Sequence, residues 1–234
     1  RNLVENSDII INLVGILYEK KRNDFVEVHY NFVKRLVDNI KLYKKNFVQV
    51  SALGVNKSKD SLYSKSKYQA DIYIEKNLQK FSIIRPSLIF GPEDNFFNKF
   101  AQMTLISPFL PLIAGGKTKF QPIYVEDVSK GIMAILKKDI KNKIFEFGGP
   151  DIFSFKELLQ ILLVTLNRKR LLMYIPKRVA VLLAKFFQLL PNPLLTEDQI
   201  KLLANDNVVL NTNYTFKYLG ISPVSLKLII PDYL

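Results

Sequence analysis

Residues 46–90 read NFVQVSALGVNKSKDSLYSKSKYQADIYIEKNLQKFSIIRPSLIF, and the order of patterns in this stretch decides the fold. Asn46–Ser51 (NFVQVS) is a short apolar run of strand length. A polar loop follows, then a helix carrying Tyr63, Lys67 and Ile74. Phe81–Phe90 (FSIIRPSLIF) is a second apolar run, which must leave the sheet at Pro86 because proline has no N–H to donate to a central ladder. Upstream, Ser7–Gly15 (SDIIINLVG) is nearly continuous in apolar residues and ends in Gly, the pattern of a strand buried on both faces. Between Asp24 and Tyr43 the residues Phe25, Val28, Phe32, Val33, Leu36 and Ile40 recur at spacings of three and four, a helical period. Strand, helix, strand, helix, strand in this order predicts parallel strands joined by right-handed crossovers.

The expected class is α/β: the C-terminal part of a Rossmann-type doubly wound parallel sheet, with a small, mostly helical C-terminal subdomain. From Gly91 onward the chain is richer in Pro and Gly, and helices are expected near Val125–Lys138, Ser154–Asn167, Pro176–Leu190 and Thr196–Ala204. One more strand is expected over Lys143–Phe147, ending in Gly148-Gly149-Pro150. The division follows as residues 1–150 for the sheet domain, with 91–124 contributing to its substrate side, and 151–234 for the subdomain.

The 234 residues contain no Cys and one His, which excludes disulfides, thiol nucleophiles and the usual zinc sites; no metal site is expected. A net charge of +13 favours encounter with anions, but no nucleic-acid motif accompanies it and none is expected as a partner. The longest helical apolar run, Val179–Leu190, is broken by Lys185 and Gln188. It falls short of the ~20 residues that cross a bilayer. The chain starts at Arg1 without the pattern of a signal peptide and reads as the later part of a longer protein, cytoplasmic or peripheral on the inner face of a membrane.

The chemistry is concentrated on one helix. Tyr63 and Lys67 are four residues apart and project from the same face. An ammonium beside a phenol favours the phenolate, as proton transfer to or from an alcohol or carbonyl requires. Ser51, at the end of the preceding strand, can supply a hydroxyl to the same oxygen. Strand ends of this kind are where open α/β sheets bind ligands.

Asn12-Leu13-Val14-Gly15, Ser51-Ala52-Leu53-Gly54, Tyr63 to Lys67 (YSKSK), Arg85 to Asp94 (RPSLIFGPED) and Phe120 to Val128 (FQPIYVEDV) together resemble the extended or atypical short-chain dehydrogenase/reductases. Within them they resemble the branch containing the alpha-subcomplex subunit 9 family of respiratory complex I, as do Leu194 to Asp198 (LLTED) and the terminal Tyr233-Leu234. The resemblance implies that residues 1–150 are a partial NAD(P)-binding Rossmann domain whose Gly-rich phosphate turn lies before Arg1. It places Asn12 and Gly15 beside the adenosine ribose, Tyr63 and Lys67 on the nicotinamide ribose, Ser51 beside the nicotinamide, and Arg85, Pro86, Ser87 and Ile89 along the nicotinamide face. The implied cofactor is NADP or NAD, with NADPH favoured. Two functions stay open. One is an accessory subunit of complex I or of a quinone-linked assembly, with complex I subunits and a membrane surface as partners. The other is an active oxidoreductase or sugar-nucleotide epimerase/dehydratase using Ser51, Tyr63 and Lys67.

Other polar residues have simpler readings. His29 stands where extended relatives often carry an Asn that braces the active-site backbone, and is expected to be structural. Asp94 is expected to cap a helix, and Glu126-Asp127 to open one. Gly115-Gly116-Lys117 lacks the spacing of a phosphate loop. Phe90, Phe96, Phe97, Phe100 and Phe109 are expected to be core. The Pro176–Leu190 stretch presents more apolar side chains than one core stripe uses and follows Arg168-Lys169-Arg170, an arrangement that suits an anionic membrane surface.

Overall fold

The computed structural model describes residues 2–188, 193 and 195–234, without the side chains of Asn2 and Phe187. The expectations on Leu189, Leu190 and Leu194 lie outside these residues.

In chain order the first elements are helix α1 (Asn2–Glu5), strand β1 (Ile9–Asn12), a π-helical turn (Val26–Asn31) running into α2 (Phe32–Tyr43), β2 (Asn46–Val50), α3 (Leu62–Asn77) and β3 (Phe81–Pro86). Then come β4 (Ile89–Phe90), α4 (Phe97–Ile106), β5 (Phe109–Ile113), β6 (Lys119–Phe120), β7 (Ile123–Tyr124), α5 (Val125–Lys137) and β8 (Lys143–Phe147). The last are β9 (Phe153–Ser154), α6 (Phe155–Thr165), β10 (Leu171–Ile175), α7 (Lys177–Phe187), α8 (Glu197–Leu202), α9 (Phe216–Leu219) and α10 (Leu226–Ile229). The central sheet has the order β1-β2-β3-β8, and all three of its ladders are parallel. It is the Rossmann-type α/β arrangement expected from the 46–90 stretch.

β3 is buried along its whole length, which explains its continuous apolar character. It ends at Pro86, paired with Phe147 of β8. The chain then breaks out, and Ile89–Phe90 joins a separate parallel ladder with Ile123–Tyr124. β1 is shorter than its apolar run, because the Asn12 side-chain oxygen accepts the Val14 N–H and turns the chain out of the sheet.

Two apolar layers flank the sheet. One joins Val33, Val37 and Ile40 of α2 to Ala70 and Ile74 of α3. The other joins Val128, Ile132 and Ile135 of α5 to Phe145, Phe147 and Phe216. A third cluster combines Phe90, Phe97, Leu110 and Leu112 with Phe155, Leu158, Leu162 and Leu226. In it Phe90, Phe96, Phe97 and Phe100 are ring-packed core residues, whereas Phe109 is exposed. β5 and β10 form a parallel pair that the sequence reading missed, since five-residue apolar runs with partners some sixty residues apart carry no local signal. Asp94 caps α4 through the amides of Phe96 and Phe97 and also accepts the Tyr233 hydroxyl. Glu126 and Asp127 lie in the first turn of α5, where Asp127 is buried and accepts the Val224 amide.

Arg168 and Arg170 depart from their expected role. Arg168 donates to the Ala101 carbonyl and the Thr104 hydroxyl, and Arg170 to the Thr104 carbonyl. Both lie along the last turns of α4, and the Thr104 carbonyl taken by Arg170 is among those at the helix end that lack intrahelical donors. α7 buries Ala180 and Ala184 against Ile113, Ile175 and Ile200 and leaves Val179, Leu182, Leu183 and Phe186 exposed.

Candidate functional site

The site lies where β1 and β2 end. α3 starts at Ser61, whose hydroxyl accepts the Ser64 amide, and Tyr63 and Lys67 follow in its first two turns. Lys67 is buried, and its ammonium reaches the Val50 carbonyl at 3.4 Å while lying 5.6 Å from the centre of the Tyr63 ring. Burial pulls the Lys67 pKa down to about 8, and the neighbouring Asp71 carboxylate opposes the fall. Gly15 packs directly over this lysine: a Cβ built on it would lie 3.5 Å from Nζ and 3.7 Å from His29 Nε2.

His29 sits in the π-helical turn, stacks on Phe25 and meets Tyr63 edge-on with ring centres 5.2 Å apart. The Ile16 amide donates to Nε2, so Nδ1 carries the proton and donates to Ser66 Oγ at 3.0 Å. Ser66 in turn donates to the Tyr63 carbonyl. With both ring nitrogens partnered, His29 braces the loop after β1 against α3. Burial, reinforced by the charge of Lys67, lowers its pKa to about 3, so the ring is neutral at physiological pH.

Tyr63 is half-buried. Burial, then the carboxylates of Asp198 and Asp71, push its phenol well above the usual tyrosine range. Asp198, at the start of α8, accepts the Leu62 and Tyr63 amides at 2.7 and 3.2 Å and the Ser61 hydroxyl at 2.6 Å. It caps α3 from a distant part of the chain.

The Ser51 hydroxyl donates to Asp71 Oδ2 at 3.0 Å, the same oxygen that receives Arg85 Nε and Nη2 at 2.9 and 2.8 Å. Asp71 follows Lys67 by one helical turn and is fully buried. Burial raises its pKa against the pull of Arg85 and Ser51, consistent with an Oδ1 that has no hydrogen-bond partner. The Arg85 guanidinium is thus turned into α3. Ser87 donates to Asn207 and accepts the Gln121 amide, and the Asn207 amide group reaches the Leu53 carbonyl at 3.0 Å. Asn12 donates to Gln49. Pro86 sits in the β3–β8 ladder and Ile89, half-buried, in β4. The fold therefore gathers Gly15, Tyr63 and Lys67 around one point, next to the end of β2. It ties the side chains of Asn12, Ser51, Arg85 and Ser87 into the surrounding framework.

Asp71, Asp198 and Asn207 were not singled out from sequence. Asp71 lay in reach of the spacing argument, being four residues after Lys67. Asp198 and Asn207 act over sequence separations of 135 and 120 residues.

A four-stranded parallel sheet with a Tyr-Lys pair on the helix after its second strand defines a Rossmann-type α/β protein. The fold superposes on the UDP-glucuronic acid 4-epimerase of Bacillus cereus, solved with UDP-glucuronic acid and NAD. The TM-score is 0.73 at 19% identity, over 99% of this chain and 76% of that one. The chain is similar to the NADH dehydrogenase [ubiquinone] 1 alpha subcomplex subunit 9 proteins. It is 32% identical to that of Arabidopsis thaliana over 238 residues (96% of this chain, 59% of the relative) and 32% identical to that of Mus musculus over 232 residues (97% and 61%). It thus spans about three-fifths of the length of these relatives. No protein-family model matches the chain.

Proposed function

We propose that the protein is a nucleotide-holding accessory subunit of a complex I-type assembly, in which Gly15, Tyr63 and Lys67 contact a bound nicotinamide dinucleotide. Asn12, Ser51, Arg85, Pro86, Ser87 and Ile89 shape the walls around it, Ser51, Arg85 and Ser87 through backbone because their side chains are engaged elsewhere. The observation that carries the accessory reading is the Ser51 hydroxyl, which is given to Asp71 rather than to the Tyr63 side of the site. The relatives named as complex I subunits support the assembly, the NAD-bound neighbour supports the ligand class, and the family resemblance favours NADPH. Denaturing the purified full-length protein and identifying the released nucleotide by mass spectrometry tests this. Stoichiometric nucleotide that falls at least tenfold in Lys67→Met supports it, and a wild-type protein that carries and binds none refutes it.

A second reading, an active oxidoreductase or epimerase, is favoured by the retention of both Tyr63 and Lys67 on one helical face. It requires turnover that Tyr63→Phe abolishes.

We also propose that the protein lies on a membrane surface through the outer face of α7. Val179, Leu182, Leu183 and Phe186 are exposed there beside Lys177, Arg178 and Lys185, and among the described residues no helix is long and apolar enough to cross a membrane. Co-sedimentation with anionic vesicles that is lost in Leu182→Ser with Phe186→Ser supports this, and indifference to vesicles overturns it.

A further inference from the structure

We propose that Asp198 is a positioning residue for Tyr63: its carboxylate occupies the amino end of the helix that carries the tyrosine and holds the phenol in its protonated, non-reacting form. This rests on the reading of Tyr63 and Lys67 as the nicotinamide site.

The geometry is specific. The amino end of a helix bears about half a positive charge, on its unsatisfied amides. In α3 that charge would lie beside Tyr63 and favour the phenolate. Asp198 cancels it, because its two oxygens take the Leu62 and Tyr63 amides while the Ser61 hydroxyl donates to one of them. Ser61 itself takes the Ser64 amide. No exposed anion is needed at this end of the helix, since the protein supplies its own.

The other charged or titratable groups facing Tyr63 do not compensate. His29, from the π-helical turn, is neutral. Asp71, from α3, is paired with Arg85. Lys67 lies over the ring face at 5.6 Å, with its ammonium directed to the Val50 carbonyl. Phe25 adds an apolar edge. With the Ser51 hydroxyl also given away, the three residues that would perform proton transfer are present, yet arranged against ionisation of the tyrosine.

α8 links this cap to the outer layer. Its Ile200 packs with Ala180 and Ala184 of α7 and with Ile113 and Ile175. The carboxylate is thereby held by a part of the fold remote in sequence from α3, and the charge state of Tyr63 depends on that layer staying docked.

The test is tyrosine Cζ spectroscopy of the full-length protein by carbon NMR, with the Tyr63 signal assigned from Tyr63→Phe. In Asp198→Asn the pH at which this signal begins to move should fall by about half to one unit, equivalent to roughly three to ten times more phenolate at any lower pH. Asp198→Glu, which keeps the charge, should titrate close to the wild type. Asp198→Ser, a neutral residue that can still accept an amide, should shift in the same direction as Asn and replaces it if the Asn protein does not fold. A folded neutral variant whose Tyr63 titrates as in the wild type, whatever its loss of thermal stability, reduces Asp198 to a fold clip and overturns the proposal. Nucleotide content measured on the same samples keeps the two ideas apart. An unchanged content in Lys67→Met sinks the nucleotide site but not the Asp198 effect, whereas an unchanged titration does the reverse.

Discussion

His29 offers a direct test of how the site is held. The perturbation is acidification, compared between the wild type and His29→Gln. The folded-state pKa is lowered from 6.5 to about 3 by burial and by Lys67, so the native state favours the neutral ring, and its stabilising contribution is present above pH 6.5 and lost as pH falls toward 3. Over that window each pH unit costs about 1.4 kcal/mol, or on the order of 3 kcal/mol by pH 4. That is a large share of the roughly 5–15 kcal/mol of net stability a domain possesses. The physical source is visible: a second proton on the ring would set an N–H against the Ile16 amide that now donates to Nε2 at 3.1 Å, in a residue 2% exposed. Urea unfolding at intervals between pH 7 and 4 measures the effect. Carboxylates titrate in both proteins, so the quantity of interest is the wild-type slope minus that of His29→Gln. Parallel stability curves for the two proteins would refute the assignment of His29 as a buried, neutral brace.

Asp71→Ala should cost about 3–5 kcal/mol by denaturant unfolding, because it leaves Arg85 buried without a partner. Arg85→Met in the same chain should recover much of the loss, and a double variant no more stable than the single would argue against the pairing. Arg168→Glu should lower the thermal midpoint by several degrees through loss of the α4 carbonyl contacts, about 1–3 kcal/mol, while Lys169→Glu changes it little; calorimetry on the pair reads the difference. Gly131→Ala brings a methyl to 2.5 Å from Phe147 Cε2, and about 1–3 kcal/mol of destabilisation is expected from overpacking the layer beneath α5, checked by denaturant midpoint.

Sequence alone determined the parallel sheet and the sharing of one helical face by Tyr63 and Lys67. Apolar runs at 7–15, 46–51, 81–90 and 143–147, alternating with helical periods, leave few topologies once parallel crossovers must be right-handed. The i, i+4 spacing of Tyr63 and Lys67 puts them on one face whatever the surroundings. Local rules also sufficed for Asp94, which takes amides two and three residues on, and for placing Glu126-Asp127 in the first turn of α5. What only the tertiary structure decided is how these groups are electrically set. Ser51 and Arg85 both find Asp71, Arg168 and Arg170 find the end of α4, and Asp198 finds the amides of Leu62 and Tyr63 across 135 residues. A buried donor or acceptor must be paired, but the pairing rule names no partner. The partner is whichever group the packed chain brings within about 3 Å. The residue types of a candidate site can thus be read along the chain, whereas their charge states depend on contacts that exist only after it has folded.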